Sequence, residues 1–258
     1  MADGLYESYI RSFSISRDGQ GWARHGEVSA ASMLDGYTIR KLASPTSSAP
    51  IFAESGGWLW NATSTGFALF REAHWTNRPV EALDGKVAVI PGERGRALVL
   101  LPDRLMEYDL VRDTSVPVWL GGRSLIGTFT DVTGDLNTGL WISGTRGVGR
   151  LRRAATPGGL PEWTEFHDWP SGLHDFRNLS LGAAGEVFVS AALTGHPAAR
   201  ALARFDGRGW SSIYRSQGND CSAWRGFDDR IWIRDGNDLY WLDRGQIRRV
   251  ERRGPLSI

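Results

Sequence analysis

The sequence is poor in cysteine and lysine, and it has no long apolar run. Cys221 is its single cysteine, so no disulfide can form within the chain. No stretch nears the ~18 apolar residues that a membrane-spanning helix needs. The opening segment MADGLYESYIRS carries acids and lacks the apolar core of a secretory signal. These absences predict a soluble, cytoplasmic chain with no membrane partner. Of 30 basic residues only Lys41 and Lys86 are lysines, and 29 acids leave a net charge of +1. So small a charge offers nucleic acid no general attraction. The basic side chains that remain are arginines, whose planar forks suit ion pairs and anionic partners.

Catalytic signatures are absent as well. There is no G-x-S-x-G elbow, P-loop or H-E-x-x-H. The run GTRGVGR (144–150) looks like a phosphate loop but falls between two strands, where no helix N-terminus can cradle an anion. The five histidines, His25, His74, His167, His174 and His196, form no closely spaced ligand triplet. The expectation is therefore a non-enzyme with no catalytic residue, no metal and no cofactor. His167-Asp168 and His174-Asp175 are the two pairs that speak for the opposite reading, an acid-base or metal site.

What the sequence does have is repetition. The stretch GLWISGTRGVGRLRR (139–153) reads as a β-hairpin, an apolar strand, a glycine-rich turn and an alternating strand. It is echoed at WLWNATSTGFALF from Trp58, RALVLLPDRLMEYDL from Arg96, VFVSAALTGHPAARALARF from Val187 and IWIRDGNDLYWL from Ile231. The central residues Trp22, Leu59, Leu98, Trp141, Phe188 and Trp232 lie between 37 and 47 residues apart. A period near 40–45 with four short strands per unit marks a β-propeller. The predicted fold is all-β, one six-bladed β-propeller of four-stranded antiparallel blades. Its blades are expected near 11–45, 46–85, 86–126, 127–172, 173–218 and 219–254. Trp22, Trp60, Trp141 and Trp232 are expected in the core. A further strand-like segment, Leu5–Ile10, has no slot in a blade and is expected to staple the ring or to serve a partner's sheet.

The units from about 126 onward resemble the two-component-regulator propeller repeat. The resemblance rests on Gly139-Leu140-Trp141-Ile142, Gly185 to Val189, Leu202 to Trp210 and Arg230 to Ile233. It implies blades, and a sensor-like module that binds a ligand or partner. SAWRGFDDRIWIRDGNDLYWLDRGQIRRV (222–250) is also similar to repeats of tectonin-like and fucose-binding lectins, which implies sugar binding.

In a propeller, the loops between second and third strands share one face with those that join successive blades. Here that channel-mouth face should gather His25, Arg104, Arg123, Arg146, His174, Asp175, His196, Asp235 and Asp238. A second patch, Arg244, Arg248, Arg249, Arg252 and Arg253, could dock an acidic partner. Three functions are weighed on these residues. The first is an interaction module that binds a protein partner or subunit. The second is a lectin-like binder of a sugar or small molecule, although no aromatic and Arg/Glu pair recurs from blade to blade. The third is a hydrolase or lyase at the channel mouth.

Overall fold

The computed structural model describes residues 9–250 except 16–18, 27, 35–37, 44–50, 55–57, 73, 81–82, 84, 93–94, 121, 123, 137, 155–160, 167–171, 217–219, 227 and 244. Six four-stranded antiparallel sheets follow one another along the chain. The first holds β1 (Ile10–Ile15), β2 (Gly21–His25), β3 (Ala30–Leu34) and β4 (Ile39–Ala43). The second holds β5 (Phe52–Ala53), β6 (Leu59–Ala62), β7 (Gly66–Arg71) and β8 (His74–Pro79). In the third are β9 (Ala88–Pro91), β10 (Arg96–Leu101), β11 (Arg104–Asp109) and β12 (Thr114–Leu120). In the fourth are β13 (Phe129–Asp135), β14 (Gly139–Gly144), β15 (Val148–Arg152) and β16 (Glu162–Phe166). The fifth has β17 (Leu173–Leu181), β18 (Val187–Leu193), β19 (His196–Phe205) and β20 (Trp210–Ser216). The sixth has β21 (Cys221–Arg225), β22 (Ile231–Asp235), β23 (Asp238–Asp243) and β24 (Gln246–Arg249). Every sheet is a meander in chain order, and no α-helix occurs among the described residues.

The chain forms two compact units, Met1–Leu101 with Met106–Val116 and Pro102–Leu105 with Pro117–Ile258. In the first unit Trp60, Phe67 and Leu69 pack with Ala97, Val99 and Tyr108. Trp22, Ala31 and Met33 pack with Ile51 and Leu59. In the second unit Trp141 and Val148 meet Phe176, Val187, Val189, Ala203 and Phe205. Phe188 and Leu202 meet Cys221, Ala223, Ile231 and Ile233. Strand β18 shows why the second strands are apolar runs. Alternate residues point to opposite faces, so Val187 and Val189 fill one core while Phe188 fills the next. Burying each such large side chain is worth roughly 1.5–3 kcal/mol.

Three expectations need correction. In the second unit PVEAL (79–83) reads as the fourth strand of its blade, but that strand is β8, because the chain reverses at Glu72, whose φ of 50° makes a turn without glycine or asparagine. Trp232 is half-buried rather than core, since Ile231 and Ile233 take the core face. It stands instead in a cross-strand row with Trp224 and Trp241. Finally, Ile10 belongs to β1, and Tyr9 O accepts the N–H of Gly26 at 3.0 Å. The last residue of the segment expected to stand apart is thus part of the first strand; residues 5–8 lie outside the described ones.

Candidate functional site

The sheets of the second unit end in a belt of turns joined by hydrogen bonds. Phe129 N donates to Pro102 O at 2.9 Å, Arg146 N to Ile126 O at 2.8 Å, and Thr145 N to Thr128 O at 2.9 Å. Asp175 N donates to Thr145 O at 2.9 Å and Gly236 N to Asp220 O at 3.2 Å. Arg200 bridges the middle. Its Nη2 donates to Asp175 O at 2.8 Å and its Nε to Ser190 Oγ at 2.9 Å, with Asp220 Oδ1 3.7 Å from Nε. Below the turns, side chains tie one first strand to the next. Thr130 Oγ1 donates to Phe176 O and Ser180 Oγ to Ala223 O. Asn178 Nδ2 donates to Cys221 O at 3.0 Å. Strand β17 is bulged at both Arg177 gaps, with Asp175 and Asn178 at φ of 50° and 55°, a region these two residue types enter more readily than most.

Within this belt lies a cleft of about 530 Å³. It is lined by Pro102, Asp103 and Arg104 together with Leu120, Gly122, Ser124, Gly127, Thr128, Phe129 and Arg146. Arg104 Nε donates to Asp103 Oδ1 at 3.0 Å. Arg146 is exposed, and among the described residues no acid comes within ion-pair distance of it. The loop that carries Ser124 is pinned by Glu165 on β16. Its Oε1 accepts Ser124 Oγ at 2.8 Å, Leu125 N at 2.9 Å and Trp163 Nε1 at 2.7 Å. Trp163 in turn stacks on Trp119, with ring centres 5.1 Å apart. Gly149 lies under the Trp163 ring so closely that a Cβ there would overlap it.

The expected channel-mouth residues divide sharply. Arg104 and Arg146 share the cleft. His174 and His196 are exposed, with His174 Nδ1 3.4 Å from Thr194 Oγ1. Asp175 is half-buried and engaged by Arg177 Nε at 3.1 Å. Two residues are corrected from surface to interior. His25 is fully buried with its Nε2 2.8 Å from Ser32 Oγ. Asp235 is buried and accepts Tyr214 OH at 2.6 Å and Ser216 Oγ at 2.8 Å. Burial and that carboxylate push the Tyr214 phenol well above its usual range. Asp238 is taken up by Arg249 at 2.7 Å. Arg123 lies outside the described residues.

The two described arginines of the C-terminal patch, Arg248 and Arg249 on β24, are both engaged. Arg249 pairs with Asp238, and Arg248 lies 3.8 Å from Asp243 and over the Trp241 ring. Arg244, Arg252 and Arg253 lie outside the described residues, as do His167 and Asp168. Among the described residues no three His, Cys, Asp or Glu side chains gather as metal ligands, and no helix is long and apolar enough to cross a membrane.

Sequence reasoning missed Glu165, Asp131, Arg200 and Asp220. Asp131 accepts its own Val132 N and, across to β17, Leu179 N, each at 2.8 Å. Burial pushes its carboxyl above the ordinary range, opposed by those backbone donors. A signal was present. The bridges Ser124–Glu165, Asn178–Cys221 and Asp131–Leu179 span 41, 43 and 48 residues, close to one repeat, so polar residues one period apart were the pairs to examine.

No protein-family model matches the chain, and comparison with curated proteins gives no match. Among solved structures, a streptogramin B lyase aligns over 97% of this chain and 85% of its own, at 15% identity and a TM-score of 0.63. The fold is a six-bladed β-propeller. The virginiamycin B lyase of Staphylococcus aureus aligns over 92% of this propeller and 82% of its own chain, at 14% identity and a TM-score of 0.62. The extracellular domain of a putative hybrid two-component system from B. thetaiotaomicron covers 90% of the propeller, which spans 33% of that longer chain, at 13% identity and a TM-score of 0.60. The resemblance to two-component-regulator propellers thus holds at the level of fold. The expectation of a cytoplasmic location does not stand, because these sensor-like neighbours are extracellular domains.

Proposed function

We propose that this propeller is a non-enzymatic recognition module that binds a protein partner at the Arg104–Arg146 cleft. The observation that carries the reading is the meeting of these two arginines, from different sheets, at one recess. Loops held on a rigid β scaffold are the usual place for recognition residues. The scaffold here is fixed by the turn belt and by the Glu165 clamp. Arginine is enriched at protein interfaces. A sensor-like role, as in the extracellular two-component neighbours, is consistent with it.

The test is proximity cross-linking in the source cells with the full chain and with its Arg104→Glu/Arg146→Glu variant. A partner that cross-links to the unaltered chain and is lost with the double variant, at unchanged melting temperature, supports the reading. A partner retained by the variant places binding elsewhere.

A second reading, a lyase at the same rim, is favoured by exposed His174 beside Thr194 and by the fold likeness to the streptogramin B lyase. Turnover of a streptogramin B antibiotic that disappears with His174→Ala would replace the first reading.

A further inference from the structure

Resting on the cleft as the binding surface, we infer that it takes an acidic side chain of the partner protein together with an adjoining apolar residue. The charge of the recess gives the first reason. Among the described lining residues two guanidinium groups stand with one carboxylate, that of Asp103, which leaves one positive charge in excess. Asp103 holds Arg104 through Nε alone, and both side chains of that pair are about half exposed or more, at 48% and 68%. A surface pair of this kind is worth little and exchanges readily. The remaining edge of one guanidinium and the whole of the other match the two oxygens of a carboxylate.

The neutral part of the lining gives the second reason. Leu120, at 61% exposure, and Pro102 stand beside the arginines. They offer an apolar seat for a side chain next to the acid. A volume of about 530 Å³ lies within the roughly 300–1,000 Å³ of ligand-holding recesses. The exposed Leu120 also makes it a dip in a wider surface rather than an enclosed chamber. Among the described residues of the lining the one aromatic, Phe129, is buried, so none of them presents a ring face for a sugar to stack on. The carboxylate of Asp103 opposes a phosphate dianion more than a monoanion.

The experiment is a titration of the 15N-labelled full chain with capped peptides, followed by amide shifts. The probes are Leu-Glu-Leu with both ends capped, its Leu-Gln-Leu isostere, and Leu-Gln-Leu with a free C-terminal carboxylate. The expected result is movement of the Leu120, Gly122, Gly127 and Arg146 amides with the Glu peptide. Binding should be about tenfold weaker for the capped Gln peptide and for the Arg146→Gln chain, in keeping with loss of a charge-assisted contact. Equal binding of the two capped peptides would overturn acid recognition and leave the cleft as a binding surface. Equal binding of the free-acid Gln peptide and the Glu peptide would overturn the side-chain source in favour of a chain terminus. Cleft amides unmoved by all three would overturn the inference, and partner loss in the cross-linking assay would still decide separately whether the cleft binds. A dispersed amide spectrum of the Arg146→Gln chain controls for folding.

Discussion

Leu179 donates its backbone N–H to Oδ2 of Asp131 at 2.8 Å, although the strands that carry them belong to different sheets. A carboxylate here replaces the ladder that two first strands cannot form. Its burial pushes the carboxyl upward, so the folded chain holds that proton more tightly than the unfolded chain does. The contribution to stability is therefore full below the unfolded carboxylate value, near 3.9, and is lost as pH rises through the raised folded value.

The expected outcome follows for Asp131→Asn, which does not titrate. Measured from about pH 4 to pH 7, the melting temperature of the unaltered protein should fall relative to that of the variant, and the difference should then level off. A difference independent of pH would mean that Asp131 titrates as in the unfolded chain.

Cys221 is fully buried, 3.5 Å from Ser190 Oγ, and burial pushes its thiol above the ordinary value. The thiolate is the reactive species. The native protein should leave a thiol-specific chromogenic disulfide unreacted for hours and release one equivalent on denaturation. Prompt reaction of the native protein would show that the fifth and sixth sheets part readily.

Trp141 is 2% exposed and touches Phe166, Phe205 and Trp210 with ring centres 5.0, 5.4 and 6.4 Å away. Trp141→Ala should cost about 3–5 kcal/mol, which calorimetry would read as a fall in melting temperature of roughly 10 °C. An unchanged melting temperature would contradict its place between the fourth and fifth sheets.

Glu165→Ala removes the acceptor of Leu125 N and Ser124 Oγ. Hydrogen exchange at the Leu125 amide should quicken by about tenfold or more, consistent with loss of a hydrogen bond to a charged group. Exchange in β18 should stay as it was. Unchanged exchange at Leu125 would show that Glu165 does not hold the cleft loop.

The repeat was legible because β10, β14 and β18 are buried almost throughout and so read as apolar runs. β14 and β18 stand out for that reason, and so do the glycine turns beside them. Trp232 misled because alternation assigns the core to Ile231 and Ile233, and a large aromatic looks like core on either face. His25 misled similarly: its position at the end of β2 suggested a loop, while its Nε2 meets the Ser32 hydroxyl inside. Of the cleft, Arg104 and Arg146 were legible from the blade phase alone. Glu165 was not, because a carboxylate on an outer strand reads as solvent-facing until its partners in the loop before β13 are known.

The bridges that tie one first strand to the next in the second unit are of nearly one length. From Asn178–Cys221 to Asp131–Leu179 the tied residues lie 43 to 48 positions apart. Loop-closure entropy varies only slowly with loop length, so ordering each sheet against its predecessor carries nearly the same penalty. No single sheet is a privileged keystone. The three sheets behave as equal links, and shortening the chain from the C-terminal side should remove order one link at a time, with Trp141 and its aromatic neighbours the last to come apart.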